Sequence, residues 1–171
     1  MLTCQQCASR HPGMSSTRPR PGPRYDALLG LLRAAETIWN ASRAFFAPWG
    51  LSPSQFNVLN LLRDQPDGLS QSELSRALVM HRSNVTGLVD RLEAHGWAAR
   101  REDATDRRAW RVVLTPAGER LLAEILPSYY DVVEEVWGDV PAARARQLGT
   151  TLQQLEQRAL ILAARHGARE S

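Results

Sequence analysis

Apolar positions recur every three to four residues along most of this chain, and short polar or Gly/Pro-rich breaks separate the periodic stretches. From Tyr25 to Phe46 the pattern is helical, with Leu28, Leu31, Leu32, Ala35, Ile38 and Trp39 on one broad face. Pro48 and Gly50 stop it. Ser52-Pro53-Ser54-Gln55 then predicts a helix start: serine cap, proline at the first helical position, glutamine at the capping-box position. Phe56, Leu59 and Leu62 continue that helix, and Pro66-Asp67-Gly68 reads as a turn.

The next stretch is more specific. Ser70-Gln71-Ser72-Glu73 is a capping box, and Leu74, Ala77 and Leu78 share a face behind it. Val79-Met80 forms a tight turn. Val85, Leu88, Val89 and Leu92 then repeat with helical period, and Gly96 supplies the left-handed end. Period-two alternation follows: Trp97 to Arg101 predicts one strand and Ala109 to Leu114 the other, around a polar loop, Glu102 to Arg108. Helix, tight turn, helix and arginine-tipped hairpin is the order of a winged helix-turn-helix, which points to duplex DNA. The apolar back of the second helix leaves Arg82, Ser83, Asn84, Thr86 and Gly87 on or near its free face, as candidate contacts to bases or phosphates. Arg107 and Arg108 are candidate minor-groove contacts, with Asp106 the support that holds a wing arginine. A solvated hairpin tip is the alternative reading of those charges.

After the wing, Thr115-Pro116 opens a long helix carrying Leu121, Leu122, Ile125, Tyr129, Val132, Val133 and Val136. Pro127 lies inside this pattern and predicts a kink or break. Gly138 and Pro141 precede a last helix, whose Leu148, Leu152, Leu155, Ala159 and Leu162 fall close to heptad spacing. The fold class expected is mainly α with a small β-hairpin wing: a winged helix-turn-helix flanked by N- and C-terminal helices.

Composition changes the picture in three ways. All 21 basic residues are arginine, and the net charge is +3, which favours nucleic acid only mildly. Residues 1–23 are rich in Pro, Ser, Gly and Arg and predict a disordered tail, with Met14 an alternative start to Met1. No apolar run is long enough to span a bilayer, and Met1 to Arg24 lacks a signal-peptide core, so a cytoplasmic protein with no membrane partner is expected. No metalloprotease, nucleophile-elbow or phosphate-loop motif occurs, which disfavours an enzyme. No cofactor is expected. Cys4, Cys7 and His11 have spacing compatible with three ligands to zinc or another soft metal, which leaves a metal- or redox-sensing regulator open beside an inert tail.

Several strings together resemble the MarR family of transcriptional regulators. They are Leu51-Ser52-Pro53-Ser54-Gln55-Phe56-Asn57-Val58-Leu59, Ser83 to Glu93, Gly96, Asp106-Arg107-Arg108-Ala109 and Leu114-Thr115-Pro116-Ala117-Gly118, in the family's order and spacing. The family's D-x-R wing motif falls on Asp106 and Arg108. Trp97, Ala98 and Ala99 depart from the usual pattern at the wing root. The resemblance implies a winged-helix domain over 24–167, with a DNA-binding lobe at 52–115 and dimerisation helices at 24–47 and 116–167. It implies a homodimer on near-palindromic double-stranded DNA, more often repressor than activator. It also implies a small aromatic or anionic effector, for which Trp39, Arg43, Phe56 and Tyr129 are the candidate contacts.

Overall fold

The computed structural model describes residues 22–103 and 109–167. Among the described residues six α-helices and three strands follow in the order α1 (Pro23–Phe46), α2 (Pro53–Leu62), β1 (Leu69–Ser70), α3 (Gln71–Ala77), α4 (Arg82–Ala94), β2 (Ala98–Glu102), β3 (Trp110–Leu114), α5 (Pro116–Trp137) and α6 (Ala142–Gly167). Contacts divide the chain into two compact units, with the division inside α2 after Phe56.

In the first unit α1 starts at Pro23, two residues before the expected Tyr25, because proline suits the first helical turn. A 3₁₀ turn, Ala47–Trp49, ends at Gly50, whose φ of 64° is left-handed. The turn brings Phe46 and Phe56 into a stack with centroids 4.4 Å apart. The capping box at α2 is reciprocal: Ser52 N–H donates to Gln55 Oε1 (2.9 Å) and Gln55 N–H to Ser52 Oγ (3.2 Å). The first of these satisfies the side-chain oxygen of a glutamine only 5 % exposed.

In the second unit, Leu74, Val85, Leu88, Val89, Leu92, Ala98, Val112, Val113, Leu122 and Ile125 are buried. Every apolar position expected behind α4 is among them. Of the α3 positions, Leu74 is buried and Leu78 half-buried, while Ala77 is exposed. The sheet has one strand more than the expected hairpin, in the order β1-β3-β2, all antiparallel. β1 is a two-residue strand ending in the α3 capping box, too short to announce itself by alternation. It pairs Leu69 with Val112 and Ser70 with Arg111. The wing strands begin one residue later than predicted. Trp97 is not in β2: its N–H closes the end of α4 on Leu92 O (3.0 Å), and its ring stacks on His95 at 4.3 Å. The departures at the wing root are accommodated, since Ala98 is buried opposite Leu114.

No break occurs at Pro127. The helix runs through it, because one missing bond is a small fraction of a 22-residue helix that Thr115 caps by accepting from Gly118 N–H (3.1 Å). Gly118 is required for a different reason. A Cβ there would overlap the carbonyl oxygen of Trp97 and stand 2.8 Å from Leu114 Cδ1, so only glycine lets α5 start against the wing root.

Candidate nucleic-acid interface

The turn into α4 is set by the end of α3. Leu78 is the cap, Val79 follows with φ 51°, and Val79 N–H and Met80 N–H return to Arg76 O (3.2 Å) and Ser75 O (3.0 Å). That is the paired closure of a Schellman motif. The same motif ends α4, where Gly96 N–H and Trp97 N–H reach Glu93 O and Leu92 O. There the left-handed residue is glycine; in the turn it is a β-branched valine, a conformation that disfavours any L side chain.

This turn presents the front of α4. Arg82, Ser83 and Asn84 are exposed, while Val85, Leu88, Val89 and Leu92 fill the core behind them. Among the described residues Arg82 enters no ion pair and Asn84 no side-chain hydrogen bond. Thr86 differs from the sequence expectation in degree: its hydroxyl donates to Arg82 O (3.0 Å) and accepts from Gln71 Nε2 (3.3 Å). The hydroxyl is thus already engaged in joining α3 to α4. At Gly87 a Cβ would meet only Arg91 Nη1, at 3.6 Å, so the surface there is flat and open.

The wing is fastened to this helix by Arg100, which sequence reading left unassigned. Its guanidinium donates to Asp90 Oδ1 (2.6 Å) and to Glu93 Oε2, and its N–H donates to Glu93 Oε1 (2.7 Å). The two carboxylates of α4 are thereby turned to the sheet and partly neutralised. Arg111 is a second anchor. It donates from Nε to Asp67 O (2.8 Å), from Nη2 to Gly68 O (2.7 Å) and from Nη1 to Asp103 Oδ2 (3.2 Å), with Glu73 Oε2 at 3.7 Å. Charge alternation in the strand was the visible signal; the partners, 8 to 44 residues away, were not. Glu73 also closes the α3 box. Ser70 N–H donates to its Oε2 (2.7 Å), which with the Ser70 hydroxyl beside it lowers the carboxyl's pKa, and Ser70 Oγ accepts from the Glu73 N–H. Asp103 N–H donates to Ala109 O (3.0 Å), which fixes the root of the wing loop. Asp106, Arg107 and Arg108 lie outside the described residues, as do Cys4, Cys7 and His11. Among the described residues no cluster of His, Cys, Asp and Glu could hold a metal. No described helix is long and apolar enough to cross a membrane.

Of the four candidate effector contacts, Trp39 and Arg43 lie together, lining a cleft of about 280 Å³ with Leu51, Ser52, Pro53 and Ser54. Phe56 is buried on Phe46 and does not line that cleft. Tyr129 is half-buried on α5. Its neighbour Tyr130 accepts a hydrogen bond from Arg63 Nη1 (3.0 Å), and Arg63 also grips Asp64; these bonds push the arginine's pKa up and the aspartate's down.

Comparison with known proteins gives a consistent result. A MarR-family model matches residues 49–109. Over 123 residues the chain is 33% identical to the transcriptional repressor MprA of Escherichia coli (strain K12), covering 67% of this chain and 70% of that protein. CouR from Rhodococcus jostii RHA1, solved bound to p-coumaroyl-CoA, superposes with a TM-score of 0.72 at 27% identity, over 76% of this chain and 91% of CouR. BpsR from Bordetella bronchiseptica, solved to explain regulation of its DNA binding by 6-hydroxynicotinic acid, gives 0.68 at 28% identity, over 80% and 97%.

Proposed function

The chain belongs to the MarR family of transcriptional regulators, and we propose that it is a homodimeric repressor that reads a near-palindromic operator and leaves it when a small aromatic, anionic ligand binds. The observation that carries the DNA-reading role is the exposed row Arg82, Ser83 and Asn84 at the front of α4, held there by a fully buried apolar back. Arg82 has the donor geometry for guanine and Asn84 for adenine. Gly87 offers a flat approach to the backbone, and Thr86 contributes mainly by fixing α4 to α3. Arg107 and Arg108 supply minor-groove affinity, oriented by Asp106.

Dimerisation is supported by unpartnered apolar surface on the terminal helices: Leu28, Leu32 and Ile38 on α1, and Leu148, Leu155 and Leu162 on α6, are exposed in the single chain. Residues 24–47 and 116–167 are accordingly the dimerisation regions and 52–115 the DNA-binding lobe. The ligand reading rests on Arg43 beside the Trp39 indole in one cleft, a pairing suited to an aromatic carboxylate or acyl thioester. CouR and BpsR are both associated with aromatic ligands bearing anionic groups.

The test is selection of operators from a random-sequence duplex pool by the full-length protein, followed by light scattering at micromolar concentration. The expected result is a near-palindrome with half-sites about 10 bp apart and a dimer in solution. A monomer, or selected sequences without two-fold symmetry, would refute the dimeric reading.

A further inference from the structure

Helix α5 is packed into the core over only part of its length. Its buried residues are Gly118, Leu122 and Ile125, all in the N-terminal half. The cap residue Thr115 also donates from its hydroxyl to Gly96 O (2.6 Å), at the end of α4, so this half is fixed to the wing root. Pro127 comes next and supplies no N–H to the Ala123 carbonyl, which interrupts the hydrogen-bond ladder of α5. Prolines are among the few identifiable causes of helix kinks. Beyond this weak point no residue of α5 is buried. Within one turn past the proline, however, Tyr130 Oη accepts from Arg63 Nη1 (3.0 Å). Arg63 directly follows α2, 67 positions away along the chain. Asp64 holds the same guanidinium in plane, with Nε to Oδ1 at 3.2 Å and Nη2 to Oδ2 at 3.0 Å, which leaves Nη1 for the tyrosine. The donor is oriented before the contact is made, which lowers the entropy lost in making it.

We propose that the Arg63–Tyr130 bond is a brace across Pro127, tying the far half of α5 to the end of α2 and so fixing how the DNA-binding lobe sits on α5. Its consequence for DNA rests on the dimeric DNA-binding reading. In a two-fold dimer joined through the terminal helices, the angle of α5 at Pro127 sets the separation of the two recognition helices. With the brace gone, α5 flexes at the proline, and the two lobes accept a wider range of half-site spacings. A polar tie suits this role. Tyr130 is 52 % exposed, so the bond opens and closes without baring any core.

The proline makes the brace testable without DNA. In the full-length protein, Tyr130→Phe removes the hydroxyl and keeps the ring. Amide hydrogen exchange over residues 128–134 should then accelerate by roughly 2- to 10-fold, the weight of one hydrogen bond. Pro127→Ala restores the missing N–H, so the double variant should exchange like Pro127→Ala alone. On operators with one base pair inserted or removed between the half-sites, Tyr130→Phe should shrink the parent's spacing penalty by a similar factor, and Pro127→Ala should restore it. Unchanged exchange in Tyr130→Phe would overturn the proposal. So would equal acceleration with and without Pro127, because the bond would then be a surface tie unrelated to the proline. An unchanged spacing penalty beside faster exchange would overturn the link to the lobe. A changed oligomeric state in Tyr130→Phe would overturn the brace by assigning the hydroxyl to a contact between copies. If the parent selects no duplex at all, the DNA-binding reading has failed, and the exchange comparison still decides whether the brace exists.

Discussion

Replacing Arg111 with methionine keeps most of the aliphatic stem and removes every donor. Three bonds go: to Asp67 O, to Gly68 O and to Asp103 Oδ2. They are not equal. Asp67 is exposed, so its carbonyl rehydrates and the loss there is about 0.5–1.5 kcal/mol. Gly68 is buried, so leaving its carbonyl without this donor costs about 1–3 kcal/mol. The Asp103 side chain is 14 % exposed and loses this ion pair, for roughly another 1 kcal/mol after discounting for the guanidinium's 28 % exposure. The total is about 4 kcal/mol, or roughly 8–16 °C in midpoint for a chain of this size. Far-ultraviolet circular dichroism melts at one fixed protein concentration would measure it, since the proposed dimerisation would make the midpoint concentration-dependent. Arg101→Met is the matched control: Arg101 sits directly opposite Arg111 but is exposed, and its removal should stay within about 0.5 kcal/mol. Arg111→Lys should fall near the methionine variant, because one ammonium cannot reproduce the fork. If Arg111→Met melts within a degree or two of the parent, or no lower than Arg101→Met, the anchor argument is wrong.

Val79→Gly should stabilise the protein by about 0.5–1 kcal/mol, the left-handed strain of roughly 1–2 kcal/mol relieved less the extra freedom of an unfolded glycine. Val79 is 67 % exposed, so little packing is lost, and a lower melting point would contradict the strain. Gly87→Ala should raise helix stability by about 0.5–1 kcal/mol yet weaken operator binding, because its methyl stands on the open face of α4; tighter binding in a gel-shift titration would oppose that placement. Glu73 has a folded pKa below its unfolded value, so its contribution is present above the unfolded pKa, about 4.3, and is lost as pH falls through the folded one. Glu73→Gln should therefore lower the midpoint at neutral pH and flatten the acid limb of the midpoint-against-pH curve, and an unaltered acid limb would assign that limb to other carboxylates.

Helix positions were legible because their signals are local. Ser52, Ser70 and Thr115 cap where the sequence says, and each cap partner lies three residues on. The buried set of α4 follows from one period and one glycine. The third strand was hidden, since two residues, Leu69 and Ser70, cannot show alternation and pair only once β3 is beside them. Arg100 and Arg111 were legible as charges but not as anchors, because their partners come from other elements. Of the kink or break expected at Pro127, the break does not occur: a long capped helix continues through the proline. In the proposed effector cleft, Trp39 and Arg43 lie one helical turn apart on α1, and the sequence placed them together. Phe56 has the same aromatic character but is drawn into the Phe46 stack, which depends on the turn at Gly50.

The claim at the centre of this account is that the front of α4 reads bases. It is tested most directly by comparing the parent with Asn84→Ala on the selected operator and on every single-base variant of one half-site, by fluorescence anisotropy at fixed salt. The account predicts that Asn84→Ala loses roughly 1–3 kcal/mol on the preferred operator and loses discrimination at one base position, with preferences elsewhere intact. Equal weakening on all variants, with the full pattern of preferences retained, would contradict base reading and leave Asn84 a contact to the sugar-phosphate backbone.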